Sequence, residues 1–414
     1  MLRLCSGGNY MLNLIRKYHL ALFYIVYACF AMCSNFVHPV TPAFLQMINC
    51  SSSMFGFAFA AMALGQFITS ALWGRLGDRM GYARSMVYGY LGYGLSAIIF
   101  SLAKSWHLVV LGRFIGGLTV SATQVGSMAY LTSMRGATSE EKSKLLVMHA
   151  SLTSIGGAFG FLIGGLIGDV NLYYSFYSQA GVLLVLALTT FFFIREHEGF
   201  EKSSEKLTVR DVNPFTSIID SSKLVNIAIT VFLVSAFLSM FSSTGFDQNF
   251  NYFLRAKFNF APSSSGMFKA VVGVVSLVMN MTVSMWIVRR MNISKGLAGS
   301  LALSGLAIIA MVLAGSTTGV LAFALMYYAF YAIYLPLQQS VMLKNDDESS
   351  KGAVAGLYNT ARSLGMMLGP TFAGLLFDIN PDYAFLTFGA LLIAAAVFTM
   401  INYRQLRARG VYTK

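Results

Sequence analysis

The chain has 414 residues, 56% of them hydrophobic and only 11% charged, with a mean hydropathy of +0.65. That balance excludes an ordinary soluble protein. The formal net charge of +13 is concentrated in short connections between apolar runs, which reads as a membrane-insertion signal, so no nucleic-acid partner is expected.

Twelve apolar runs of spanning length follow one another, at about 20–45, 54–74, 86–103, 107–131, 145–168, 174–194, 224–246, 266–288, 297–315, 319–343, 352–377 and 384–403. A β-barrel would show alternating segments of about ten residues, which these are not. The expected fold is an all-α membrane protein with twelve transmembrane helices in two pseudo-symmetric six-helix bundles. With the N-terminus inside, the inner connections carry 23 Lys and Arg and the outer ones only Lys104, Arg255 and Lys257. Both termini are therefore expected to be cytoplasmic, in a multi-pass protein of the cell membrane. The first run is too long for a signal-peptide core, so no cleaved leader is expected, and Met11 is as good a candidate start as Met1. Cys5, Cys29, Cys33 and Cys50 do not form a disulfide framework. The Cys29/Cys33 pair reads as small buried hydrophobes rather than metal ligands.

The first span carries "NFVHPVTPAF", in which Pro39 and Pro42 free backbone carbonyls and kink the helix. His38 beside them titrates near neutral pH, either carrying a coupling proton or simply hydrogen-bonded within the span. The connection after the second span, "GRLGDRMGYAR", crowds Asp78 and the bases Arg75, Arg79 and Arg84 among Gly74, Gly77 and Gly81. Its glycines are expected to permit a tight, positive-φ turn between closely packed helix ends.

This loop resembles the signature of the major facilitator superfamily, with Gly74, Gly77, Asp78, Arg79, Gly81 and Arg84 matching. The whole chain, through span count, half-repeat and linker, resembles that family's twelve-helix drug:proton antiporters. The resemblance implies that Asp78 meets the positive N-terminal end of the eleventh span and latches the halves together when the protein is open outward. The alternative is a topology-setting basic turn whose Asp caps a helix. The family often has an acidic residue at the inner end of the fourth span that engages the signature arginines. "MAYLTSMR" (128–135) has none, so that charge network is expected to differ or be reduced.

In the fourth span, "VVLGRFIGGLTVSATQ" resembles the family's second motif and supplies Arg113. A charge inside a span is costly and usually functional, so a cavity role is expected, with snorkelling to the interface as the alternative. In the fifth span, Gly156, Gly160 and Gly164 recur every four residues, with Gly165 alongside, as in close helix packing. The family's antiporter motif has a proline after the second of these glycines, where this chain has Phe161. The eleventh-span copy keeps it, as Gly365, Gly369, Pro370 and Gly374.

A charged stretch, 195–223, separates an N-terminal bundle (1–194) from a C-terminal bundle with a short tail (224–414) and reads as a cytoplasmic linker. The halves repeat in step. "GGAFGFLIGGLIGD" (156–169) matches "GMMLGPTFAGLLFD" (365–378) and Phe176 matches Phe385, both at an offset of 209, and "DRMGYAR" matches "RRMNISK" at 211.

Arg113, Lys269 and Arg362 are the charged residues of the twelve runs, and all are basic. The nearest carboxylate, Asp247, falls at the outer end of the seventh. It is either a proton and cation site, paired with Lys269 if that helix bends inward, or a solvated rim residue. Tyr331, Tyr334 and Gln338 in the tenth span are the best candidates for lining a cavity, because their polar tips prefer it to lipid. No nucleotide loop, HExxH or CxxC spacing is present, so neither an enzyme nor a cofactor is expected. The expected function is secondary active transport by rocker-switch alternating access, as proton-coupled efflux of small amphiphilic compounds by a monomer in the lipid bilayer. The alternative is an importer or uniporter of a nutrient such as a sugar or organic anion. Substrate, direction and coupling ion are not legible from the residues.

Overall fold

In hydrocarbon each backbone N–H and C=O must be satisfied within its own segment, so long apolar runs become helices. The computed structural model describes residue 15 and residues 20–134, 137–197, 226–342 and 351–408, and among them every regular element is helical. Among the described residues, nine helices are long and apolar enough to cross a membrane. Three further segments complete the twelve spans: the broken first span (Ala21–Cys33 and Thr41–Met47), the third (Tyr82–Ser101) and the eleventh (Lys351–Ile379). The expected linker lies outside the described residues except for 195–197, as does the C-terminal tail beyond residue 408.

The chain divides into two compact units. The first comprises residues 1–44, 64–214 and 261–270, the second 45–63, 215–260 and 271–414. In the first unit the main helix contacts join the third span to the fourth and sixth, and the first to the fifth. In the second they join the ninth to the tenth and twelfth, and the seventh to the eleventh, the same pairings six spans later.

The repeat extends to individual contacts. Phe176 packs on Phe44 and Phe100 (ring centroids 5.0 and 5.1 Å), and Phe385 packs on Phe253 and Phe246 (4.9 and 5.5 Å). A Cβ on Gly160 would collide with the Met32 carbonyl of the first span, and one on Gly369 with the Phe241 carbonyl of the seventh. Gly156 and Gly164 meet Ala31 and Phe36 in the same way, and Gly365 meets Phe237 and Phe241. The motif glycines are therefore the places where backbones touch. Gly374 is buried on the same helix.

Two further mates were not read from the sequence. Gly266 sits against the Phe161 carbonyl and Gly56 against that of Pro370, so Phe161 occupies the position of the expected proline and presents its backbone to the same glycine partner. One turn before these glycines, the N–H of Ser263 donates to Asp169 Oδ1 (3.2 Å) and that of Ser53 to Asp378 Oδ1 (3.3 Å). Each carboxylate thus satisfies an otherwise unpaired donor at a helix start.

Gly160→Val should lower stability by about 1–3 kcal/mol or prevent assembly, because a backbone carbonyl cannot yield. Gly181→Val, at a position with nothing within 4 Å, should be neutral. Thermal unfolding of the two variants in detergent checks the contrast.

Candidate functional site

The signature loop is shorter than its three glycines suggest. The second-span helix runs from Ser52 to Met80, so Gly74 and Gly77 are helical, and only Gly81 has a positive φ, 104°. The next helix begins at Tyr82, making the turn a single residue. Gly77 has another purpose. A Cβ there would lie 2.7 Å from the Tyr82 ring, which crosses it so that the Tyr82 hydroxyl donates to Asp78 Oδ1. Gly74 faces only Val125, with room to spare.

Of the two expectations for the charge network, a different one or a reduced one, the structure shows a different acidic residue at the loop. Glu196, just beyond the sixth span, reaches the loop: its Oε1 accepts from the Ala83 N–H at 2.6 Å and occupies the space a Gly81 Cβ would need. Arg84 is near enough to act on it electrostatically. The segment is held by Tyr130, whose hydroxyl donates to the Arg195 carbonyl (2.9 Å) and whose ring packs on His197 (4.1 Å). Sequence reasoning passed over Glu196 because it sits over a hundred residues from Gly81, inside what reads as linker. Burial raises its pKa, opposed by the Ala83 and Tyr82 N–H groups and by Arg84.

Elsewhere in the first unit, the chain unwinds between Cys33 and Thr41, and His38 lies in that break, stacked on Phe161 (5.5 Å). Lys269 approaches the same ring at 5.5 Å. Arg113 is buried rather than cavity-lining. Its guanidinium donates to the Thr41 hydroxyl (3.0 Å), where the first span restarts, and lies 4.8 Å from the Phe100 ring. A second buried histidine, His149 in the fifth span, bonds Ser127 (2.9 Å) and stacks on Tyr27.

The second unit holds a polar ladder between the seventh and tenth spans. Ser239, Ser243 and Asp247 recur every four residues along the seventh and so share one face. Gln338 Nε2 donates to Ser239 (2.9 Å), Tyr334 hydrogen-bonds Ser243, and the Tyr328 hydroxyl donates to Asp247 Oδ1 (2.8 Å). Tyr334 and Gln338 are 1% exposed, closed into this ladder rather than lining a cavity as expected, while Tyr331 is half-buried and packs edge-on to Tyr334 (5.4 Å). The expectation that Asp247 ends its span is corrected as well. The seventh helix is continuous from Ile227 to Phe258, and Asp247 is half-buried well inside it. The apolar window closed too early because the last turns are amphipathic and packed on protein.

At the repeat offset of 209, His38 and Asp247 are mates. Arg362 lies in the same unit as Asp247, its guanidinium 5.4 Å from the ring of Tyr358, whose hydroxyl donates to Gln338 (3.3 Å).

A family model for the Major Facilitator Superfamily matches residues 23–370. The chain belongs to that superfamily. Among curated relatives, it is 27% identical to "Multidrug resistance protein 2" of Bacillus subtilis, over 88% of this chain and 90% of that protein. It is 23% identical to "Quinolone resistance protein NorA" of Staphylococcus aureus, over 90% and 93%. Among solved structures, a bacterial homolog of the human lysosomal transporter Spinster superposes with a TM-score of 0.76 at 14% identity, covering 95% and 98% of the two chains. A D-xylose–proton symporter gives 0.67 at 16%, covering 92% and 97%. These superpositions carry the fold, and a Major Facilitator chain is a transporter rather than an enzyme.

Gly81→Ala should cost roughly 1–3 kcal/mol, from the positive φ and the displaced Glu196 carboxylate. Because the folded state raises the Glu196 pKa, it holds that proton more tightly than the unfolded chain. Stability should therefore fall as pH rises from about 4.3 through the raised value. Glu196→Gln should flatten that fall, as read by unfolding temperature against pH in detergent.

Proposed function

We propose that this Major Facilitator protein exports small amphiphilic compounds by proton antiport, through rocker-switch alternating access. Six-helix bundles over 1–194 and 224–414 would be joined by a cytoplasmic linker over 195–223, with both termini cytoplasmic and the protein monomeric. The observation that carries this reading is the half-buried Asp247 carboxylate, seated within a helix and against the Tyr328 hydroxyl. A carboxylate there can be neutralised in turn by a proton and by a cationic substrate, which is the exchange an antiporter needs. Relatives matched over nearly their full lengths carry multidrug and quinolone resistance names, which supports the export direction.

In this reading the Gly74, Gly77, Asp78, Arg79, Gly81 and Arg84 loop governs switching. Tyr82 holds one oxygen of Asp78, and the other is the atom proposed to meet a helix N-terminus. His38, Arg113, Asp247, Tyr331, Tyr334 and Gln338 form and support the substrate and proton sites. The tyrosine ladder offers an aromatic wall through Tyr331, and Arg113 fixes the restart of the first span beside His38.

The test uses everted membrane vesicles with an acid interior and a panel of fluorescent lipophilic cations. Uncoupler-sensitive accumulation is expected for the wild type. Asp247→Asn should abolish accumulation against the gradient while leaving the protein folded. Undiminished accumulation in that variant would place the coupling carboxylate elsewhere. Asp78→Asn should slow transport about tenfold or more with little change in substrate affinity, and wild-type turnover would remove the latch.

A further inference from the structure

A helix start is ordinarily capped by the side chain of the residue just before it. Asn171, Asn226 and Asn292 do this here, each accepting from a backbone N–H of the helix that follows it. The second and eighth spans begin differently. The eighth (Pro262–Met279) follows Ala261, which has no side-chain acceptor. Before the second (Ser52–Met80), the Ser51 hydroxyl bonds that of Ser53 (2.8 Å). Both starts borrow a cap from the end of another span. Asp169 Oδ1 accepts from the Ser263 N–H (3.2 Å), and Asp378 Oδ1 from the Ser53 N–H (3.3 Å). The two carboxylates stand at the repeat offset of 209, so the device is built twice.

The borrowed caps sit on the two spans that change partners. The start of the second span lies in the second unit, within residues 45–63, and from residue 64 the span belongs to the first. The start of the eighth lies in the first unit, within residues 261–270, and from residue 271 the span belongs to the second. A Cβ on Gly56 would collide with the Pro370 carbonyl, one on Gly266 with that of Phe161, and one on Gly165 with that of Pro262. Backbones this close have no room to slide, so each start is either seated or parted. Both aspartates are exposed, so water replaces each hydrogen bond readily when a start parts. A cap of this kind shifts a two-state equilibrium by roughly two- to thirtyfold.

We infer that Asp169 and Asp378 are paired outer bolts of the transport cycle. They are positioning residues that hold the starts of the eighth and second spans, and both must release before the protein opens outward. This rests on the alternating-access reading above, in which all four helix ends face outside, and it adds an outer fastening to the inner one assigned to Asp78. A cap from a helix's own preceding residue survives rigid-body motion. A cap from another span lasts only while the two spans stay together, so its strength enters the balance between states.

Cys50, three residues before Ser53, has a free, half-buried thiol and is a native reporter. In a chain with Cys5, Cys29 and Cys33 replaced by Ala, its labelling by a membrane-impermeant maleimide is timed in right-side-out vesicles without substrate. Asp169→Ala and Asp378→Ala should each speed labelling about threefold or more, and the double variant by about the product. Asp169→Asn and Asp378→Asn, which keep an acceptor oxygen and lose the charge, should speed it less. Asp382→Asn, which removes an exposed carboxylate that pairs with Lys257 instead, should stay within about twofold of wild type. A parallel chain keeping only Cys33, which is fully buried, should stay unlabelled and so shows that each variant is folded. The decisive variant is Asp169→Ala, because Asp169 and Cys50 lie in different units. If it leaves the Cys50 rate unchanged, whatever Asp378→Ala does, each Asp is a local cap and the inference is overturned. Labelling needs no substrate, so that failure leaves export standing. Coupled labelling in a protein that accumulates no lipophilic cation sinks the export reading instead and leaves the bolts in place.

Discussion

Contact between helix backbones at glycine is the constraint on which the rest of the structure depends. In lipid, apolar side chains gain little by leaving hydrocarbon for a helix neighbour, so association relies on close packing. Gly160 against Met32 and Gly369 against Phe241 bring whole backbones together at equivalent places in the two units. Gly266 against Phe161 and Gly56 against Pro370 do the same for the crossing helices, which Asp169 and Asp378 cap one turn earlier. At each of these places any larger residue meets main chain, which has no rotamer to yield. The motif spacing every four residues is the sequence trace of that geometry.

The same contacts determine what a motif letter means. The proline of the antiporter motif is replaced by Phe161 in one half and kept as Pro370 in the other, yet both carbonyls face a glycine. What is preserved is the backbone approach, so the residue's side chain is released for other work. In the first unit that work is aromatic, since His38 and Lys269 both lie against the Phe161 ring. The substitution that weakened the motif on paper thus brings an aromatic face to two titratable side chains.

Much of this was legible in the sequence, because hydropathy and repeat offsets report directly on spans and on equivalent positions. Phe176 and Phe385, matched at 209, are both fully buried at the centres of equivalent ring clusters. What was illegible depended on contacts between residues far apart in the chain. Glu196 reads as one more linker charge until the fold carries it to Gly81. Tyr334 and Gln338 have polar tips that suit a cavity or a buried partner equally well, and only the neighbouring helix shows that Ser243 and Ser239 take them. Asp247 was misjudged because a hydropathy window cannot distinguish a helix leaving the membrane from one whose polar face is covered by protein.

Equivalent positions in the two units are built differently. At the place of His38 the first unit unwinds, because Pro39 and Pro42 deny the helix its donors. At the mated place the second unit has Gln248 and Asn251, the helix runs on, and Asp247 joins an ordered ladder of hydroxyls. The charges divide in the same way. Arg113 and Lys269 in the first unit lie on aromatic rings, and Arg113 also clamps Thr41. In the second unit an acid and a base, Asp247 and Arg362, both act electrostatically on Tyr331. The signature loop, its Asp and its glutamate clasp lie in the other unit, so in the proposed reading recognition and the loop's part in switching fall to different copies of the repeat.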